Sequence, residues 1–290
     1  LDTLGSVPGE NRHIVGQFET GGSGADGDRT LASDIVENER TEIRRAVEEG
    51  IPTTIDAIVV VAGLAGGTGS AVAPALAAGL ANVYEQPVYA VSVLPSKRGT
   101  DDQQQTNTAH GLAGLEESAT AQIVFDNDAW IYGSRSLESH GDRINGALTA
   151  RLGELFTLGQ ESSGAVGEQV IDTRDTVGTL DGGKLVSLGY ASRDIAAWRG
   201  ADSSLVDGLK RRVFGDNTES YERGRAIQRT LAWATRGTMS FECPREQATH
   251  GLVDFRGPPV WLRGDAMSRG REWLAKRAKI ERLRSGDIPV

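Results

Sequence analysis

Ile58-Val59-Val60-Val61-Ala62-Gly63-Leu64-Ala65-Gly66-Gly67-Thr68-Gly69-Ser70-Ala71 reads as a buried strand, a glycine loop and the approach to a helix. The apolar run is short, β-branched and free of polar alternation, which is the pattern of a parallel strand covered on both faces. Gly66, Gly67 and Gly69 let backbone N–H groups approach an anion that no Cβ obstructs. Thr68 and Ser70 add hydroxyls, and the following helix points its positive end at the same spot. A phosphate site is the inference. No Lys follows the Gly-Thr-Gly, so the loop is not a Walker A, and its spacing is not that of a dinucleotide GxGxxG.

Outward from this stretch, strands and helices alternate. Ile14-Val15 predicts a brief strand within residues 11–18, and Leu31 to Glu49 predicts one helix with Leu31, Ile35, Ile43 and Val47 along a stripe. Between them, Gly21 to Asp28 is too glycine-rich for regular structure and offers a second phosphate-contacting loop. After the glycine loop, a helix is expected over Ala71 to Tyr84 with Pro74 in its first turn, where a missing N–H costs little. Val88 to Leu94 and Ile123 to Phe125 predict further strands, separated by a polar connection over Ser96 to Thr108 and a helix over His110 to Ser118. Such alternation implies right-handed βαβ units and a parallel sheet, whose ligands lie beyond the carboxyl ends of the strands. The expected fold class is α/β: a Rossmann-like parallel-sheet domain over 1–135, a long central helix over 136–158, and a smaller α+β domain over 159–290. In the last, Val186 to Tyr190, Met239 to Cys243 and Leu252 to Arg256 are the strand candidates.

The 290 residues carry a net charge of −9, which argues against nucleic acid as the main partner. Positive charge is mostly Arg, a balance that suits a high-salt cytoplasm. The single cysteine, Cys243, excludes an intramolecular disulfide and agrees with a reducing cytosolic compartment. No apolar run reaches membrane-spanning length. His13, His110, His140 and His250 lack ligand spacing, so neither a zinc site nor a cysteine nucleophile is indicated.

AGGTGSA at Ala65 to Ala71 resembles the GGGTGSG signature of the tubulin/FtsZ superfamily, with alanine for two glycines. PVYAVSVLP at Pro87 to Pro95, VFDNDAW at Val124 to Trp130, Ile144-Asn145, and LVSLGYAS at Leu185 to Ser192 follow the order of its archaeal CetZ branch. The resemblance covers nearly the whole chain. It implies a GTP/GDP-binding site with Gly66, Gly67, Thr68, Gly69 and Ser70 on the phosphates, and Asn127 and Asn145 on the nucleoside. Gly22 and Gly24 of the earlier loop would join the phosphate cradle, with Mg²⁺ as the accompanying ion.

The resemblance also implies that hydrolysis is shared between molecules. Asp172-Thr173-Arg174-Asp175 matches the family's acidic loop, so Asp172 and Asp175 of one copy would act on GTP held by the next in a head-to-tail filament. Out of context, two Asp residues three apart are a solvated helix start. Self-assembly and other tubulin-like proteins are the expected partners, the cytoplasm the expected location and cell shape the expected role. Some positions depart from the pattern. Nothing in residues 1–18 matches the family's first strand and its loop, so the first domain is expected to lack them and the last to be incomplete. After Pro95, where the family carries a ribose-binding acid, the loop reads Ser96-Lys97-Arg98-Gly99-Thr100-Asp101-Asp102, with Asp101 as the candidate substitute, and Gly146 follows Asn145 where the family often has an acid. These departures keep a second reading open, a non-hydrolysing paralogue that acts as a partner of true filaments. A dinucleotide-dependent enzyme is disfavoured by the missing GxGxxG.

Overall fold

The apolar run at the centre of the sequence forms strand β1 (Ile58–Gly63), and two more buried runs form β2 (Val88–Leu94) and β3 (Ala121–Asp126). The three pair in parallel, with Val60 opposite Ala90 and Val91 opposite Ile123. A two-residue strand, β4 (Leu185–Val186), extends the sheet in the order β1-β2-β3-β4. The computed structural model describes residues 5–131, 140–158, 167, 169–194, 216–237 and 239–289. By its internal packing the chain divides into two units: Leu1–Ile144 with Lys184–Val186, and Asn145–Gly183 with Ser187–Val290.

In the first unit, helices α1 (Arg29–Asn38) and α2 (Arg40–Gly50) stand where one helix is expected. The break falls at Glu39, whose carboxylate accepts the Gly16 N–H at 2.9 Å. The expected strand at Ile14-Val15 does not form. Gly16 has a left-handed backbone (φ 70°), and a single helical turn, Gln17–Thr20, follows it. Helix α3 (Gly67–Ala81) begins inside the glycine loop rather than at Ala71, so Pro74 lies in its interior and not in its first turn. A proline there removes one helical hydrogen bond. The site is accommodated by helix α4 (Asp102–Ser118), which passes so close that a Cβ on Gly114 would lie 2.9 Å from Pro74.

Helix α4 also starts earlier than the expected polar connection allows. Asp101 and Gln104 form a reciprocal capping box that begins the helix at Asp102. Val60, Leu64, Ala77, Leu80, Val88, Ala90 and Leu115 make the core between sheet and helices. Buried Gln122 on β3 donates to Ser92 Oγ at 2.8 Å, which satisfies both polar groups across the strand pair.

Helix α5 (Gly141–Phe156) is the described part of the expected central helix; residues 136–139 of that expectation lie outside the described residues. The second unit continues with helices α6 (Thr173–Leu180) and α7 (Asp216–Arg236). It ends in strand β5 (His250–Gly257), helix α8 (Gly264–Ala278) and strand β6 (Arg282–Pro289), with β5 and β6 parallel. Leu231, Val253, Phe255, Leu262, Met267 and Leu274 form its core. The strand expected over Val186 to Tyr190 shrinks to β4, and Met239 to Cys243 is not a strand. Strand β6 escapes sequence reading because Gly286, Asp287 and Pro289 look like turn residues. Asp287 instead joins a neighbouring segment: its N–H donates to Gln169 O at 2.8 Å, and its carboxylate accepts the Gln169 N–H at 2.7 Å. Among the described residues no helix is long and apolar enough to cross a membrane.

Candidate functional site

The start of α3 is an uncapped helix end. Gly66 occupies the N-cap position and supplies no side chain, so the first helical N–H groups have no intrahelical acceptor. The first bond back is Ser70 N–H to Gly66 O at 3.3 Å. The three glycines divide into two roles here. A Cβ on Gly67 would lie 2.5 Å from the Asp28 carbonyl oxygen, and a Cβ on Gly69 would run into the Gly63 carbonyl, so both are required by packing. A Cβ on Gly66 would meet nothing within 4 Å, and the extended backbone there (φ −83°) suits any residue. Space in front of the helix end is therefore open.

The hydroxyls divide as well. Ser70 is fully buried and donates to Gly66 O at 2.8 Å or Gly67 O at 3.0 Å, so its side chain secures the loop from within. Thr68 is exposed, and its hydroxyl makes no hydrogen bond among the described residues. The parallel register sets the ends of β1, β2 and β3 side by side, with Gly63 opposite Val93 and Val93 opposite Phe125. Leu64 N–H still donates to Val93 O at 3.0 Å, holding the glycine loop against the end of β2.

Two neighbouring loops are tied to this edge. The buried Asn107 of α4 donates through Nδ2 to Gly27 O at 2.8 Å and to Ala65 O at 3.1 Å, joining the 21–28 loop to the glycine loop. Gln103 adds a bond to Gly27 O at 2.8 Å. Gly22 and Gly24 have left-handed backbones (φ 79° and 85°), are exposed, and have open space where a Cβ would stand. Asp28 caps α1, accepting N–H bonds from Thr30 and Leu31. On the other side, Asp128 accepts Ser96 Oγ at 2.6 Å and Lys97 N–H at 3.0 Å, which fixes the loop after β2. Asn127 follows β3, is half-buried, and its side-chain amide makes no hydrogen bond among the described residues. Asp101 is the cap of α4, accepting the Gln104 N–H at 2.7 Å, so one of its oxygens is already occupied.

The remaining expected residues belong to the second unit. Asn145 lies one position past the unit border on α5 and is exposed. Asp172 caps α6 and accepts the Asp175 N–H at 2.8 Å, while the Asp175 carboxylate returns to the Asp172 N–H at 3.5 Å. Arg284 of β6 reaches the same turn, 3.2 Å from Asp175 Oδ1 and donating to Asp175 O at 2.7 Å.

The chain's similarity to known proteins follows this layout. Residues 2–133 match the GTPase domain of the tubulin/FtsZ family, and residues 134–290 match the C-terminal domain of tubulin-like CetZ proteins. Tubulin-like protein CetZ5 of Haloferax volcanii is 33% identical over 293 residues, spanning 100% of this chain and 73% of that protein. The chain belongs to the CetZ branch of the tubulin/FtsZ superfamily. Its fold superposes on a GDP-bound monomer of CetZ1 from Haloferax volcanii with a TM-score of 0.79 at 28% identity, covering 98% of this chain and 75% of that one. A GTPγS-bound protofilament of CetZ2 from the same organism gives 0.77 at 28% identity, covering 96% and 74%. FtsZ of M. jannaschii, at 19% identity over 95% of this chain and 69% of that one with a TM-score of 0.67, shares the fold.

In this CetZ-family chain, sequence reading missed Asn107, Asp128 and Arg284. Asn107 carried no signal in the sequence, since it stands among polar residues and only its burial shows that it serves backbone groups. Asp128 sits inside the quoted VFDNDAW, but only the fold shows that it reaches back to residues 96 and 97. No local pattern marks Arg284, since its partners are more than a hundred residues away.

Proposed function

We propose that this protein binds GTP at the carboxyl edge of the β1–β3 sheet and hydrolyses it when copies stack head to tail, as a cytoplasmic cytoskeletal filament that acts in cell shape. The observation that carries the reading is the uncapped start of α3. A helix end whose amides have no side-chain cap, with open space at Gly66, favours an anion. The N–H groups of Gly67, Thr68 and Gly69 and the Thr68 hydroxyl would hold the phosphates, with Gly22 and Gly24 of the earlier loop joining them and Ser70 securing the loop. The amides of Asn127 and Asn145 would supply the donor and acceptor that a guanine nucleoside requires. Relatives solved with GDP and as a GTPγS-bound protofilament support this assignment.

Among the described residues no cluster of three His, Cys, Asp or Glu could hold a metal ion. Mg²⁺ would instead be carried by the substrate phosphates and water, with one or two protein oxygens. Thr68 is the hydroxyl placed to be one of them, and the ion would neutralise phosphate charge. The protein's own contribution is geometric and electrostatic: amides fixed at the phosphates, and the Asp172 and Asp175 carboxylates of the next copy orienting or deprotonating the attacking water.

A non-hydrolysing partner of filaments is the second reading. It is favoured by the departures around the nucleotide loops, alanine at Ala65 and Ala71 and Gly146 after Asn145. GTP turnover by the full-length protein at rising concentration separates the two. Activity per molecule should climb with concentration and collapse in Asp172→Ala and Asp175→Ala. Binding without turnover at any concentration supports the second reading, and absence of GTP binding sinks both.

A further inference from the structure

We infer that Arg284 is the residue that positions the acidic turn Asp172–Asp175 for hydrolysis; the inference rests on the functional reading above. Three contacts of one guanidinium converge on the first turn of α6. Nη1 donates to Asp175 O at 2.7 Å, lies 3.4 Å from Arg174 O, and is 3.2 Å from Asp175 Oδ1. One cation thus holds the backbone and the carboxylate of the same residue.

Gly178 lies against the same guanidinium. It stands one turn past Arg174 and Asp175, and a Cβ there would lie 3.0 Å from Arg284 Nη1 and 3.3 Å from Nη2. Gly178 is helical with no left-handed backbone, so conformation does not explain a residue that weakens a helix by about 1 kcal/mol relative to Ala. Its missing side chain gives the guanidinium room to lie across the helix.

Arg284 and Asp175 are 44% and 40% exposed, and a pair this open to solvent contributes little stability. Its consequence is directional. The capping box fixes Asp175 relative to Asp172, and Arg284 fixes the pair relative to β6, a strand held along its length by β5. Arginine suits the task because its guanidinium stays charged and the two N–H donors on Nη1 lie in a fixed plane, where they serve a carbonyl and a carboxylate, whereas a lysine ammonium is a rotating point charge. A carboxylate acting on the water that attacks another molecule's nucleotide is sensitive to displacement, and an ångström of misplacement lowers a rate by up to about a hundredfold.

The test is GTP turnover and sedimentation of the full-length protein carrying Arg284→Gln, Arg284→Lys or Gly178→Ala. Since the nucleotide is held by one copy and the acidic turn comes from the next, Arg284→Gln should lower kcat roughly tenfold. KM for GTP and the concentration needed for assembly should stay within about twofold. Arg284→Lys should recover part of kcat by keeping the charge. Gly178→Ala, which crowds the guanidinium without removing it, should lower kcat about threefold and covers the case in which Arg284→Gln does not fold. Parental kcat in Arg284→Gln, or in Gly178→Ala, overturns the inference alone. So does a loss that only tracks the amount of polymer. A parent protein that never turns over GTP overturns the functional reading and this inference with it.

Discussion

Helices α3 and α6 begin in opposite ways. The start of α3 has glycine at the N-cap, no side-chain acceptor, and open space in front of its amides. The start of α6 is closed by its own carboxylates, with Asp172 and Asp175 in a reciprocal capping box and Arg284 bound across the turn. An uncapped end attracts an anion, whereas a capped one presents anionic side chains. The two ends therefore differ in what they offer a binding partner, unpaired amides at α3 and carboxylates at α6.

The comparison breaks most sharply at Gly69. Gly69→Ala drives a methyl group into the Gly63 carbonyl, and should cost about 3 kcal/mol of stability in denaturant unfolding. A parental unfolding midpoint would mean that α3 does not pack on β1 as closely as described. Gly66→Asp converts the open end into a closed one. The position is extended and uncrowded, so the helix should gain a cap worth about 1 kcal/mol while affinity for GTP falls about a hundredfold by calorimetry. Unchanged affinity would remove α3 from the phosphate site. Asn107→Ala leaves the Gly27 and Ala65 carbonyls without their shared donor and should destabilise the first unit by about 2 kcal/mol, read as a lower thermal midpoint.

At the closed end, Asp172→Asn keeps a good cap and removes the charge, whereas Asp172→Ala removes both. The alanine variant should lose about 1 kcal/mol more stability than the asparagine one, with turnover lost in both; equal stabilities would mean the cap contributes nothing. The smallest effect concerns Asp254 on β5, whose carboxyl is pushed above its ordinary value of 3.8 by burial, opposed by Arg256. A raised folded-state value means the native protein binds this proton more tightly than the unfolded chain. The associated stability is present below about pH 4 and is lost as pH rises through the folded value. Asp254→Asn should lack that slope, so parent and variant unfolding energies should diverge only across this acidic window. Parallel curves throughout would show that Asp254 does not titrate as described.

The open end was legible because it is written in consecutive residues: an apolar β-branched run, glycines, and hydroxyls need no distant partner to be recognised. The parallel order of β1, β2 and β3 followed from the same short-range alternation. The helix boundary was misplaced because glycine argues locally against helix, yet Gly67 and Gly69 are helical for close approach to Asp28 and Gly63. Ile14-Val15 failed as a strand for a tertiary reason, the Gly16 N–H being taken by Glu39. Asp172 and Asp175 were visible as a pair, but the pattern alone did not distinguish capping from catalysis, and the structure shows the first directly. Arg284 and β6 were illegible since both depend on pairings across the second unit.

Asn107 has one more consequence. By fastening Gly27 and Ala65 to a single amide, it ties one residue of each of two glycine-rich loops to α4 within the fold itself. Ordering a residue's backbone costs roughly 1–2 kcal/mol. Where that cost is met in folding it does not reduce affinity, so a ligand reaching Gly27 and Ala65 would meet backbone that is already placed.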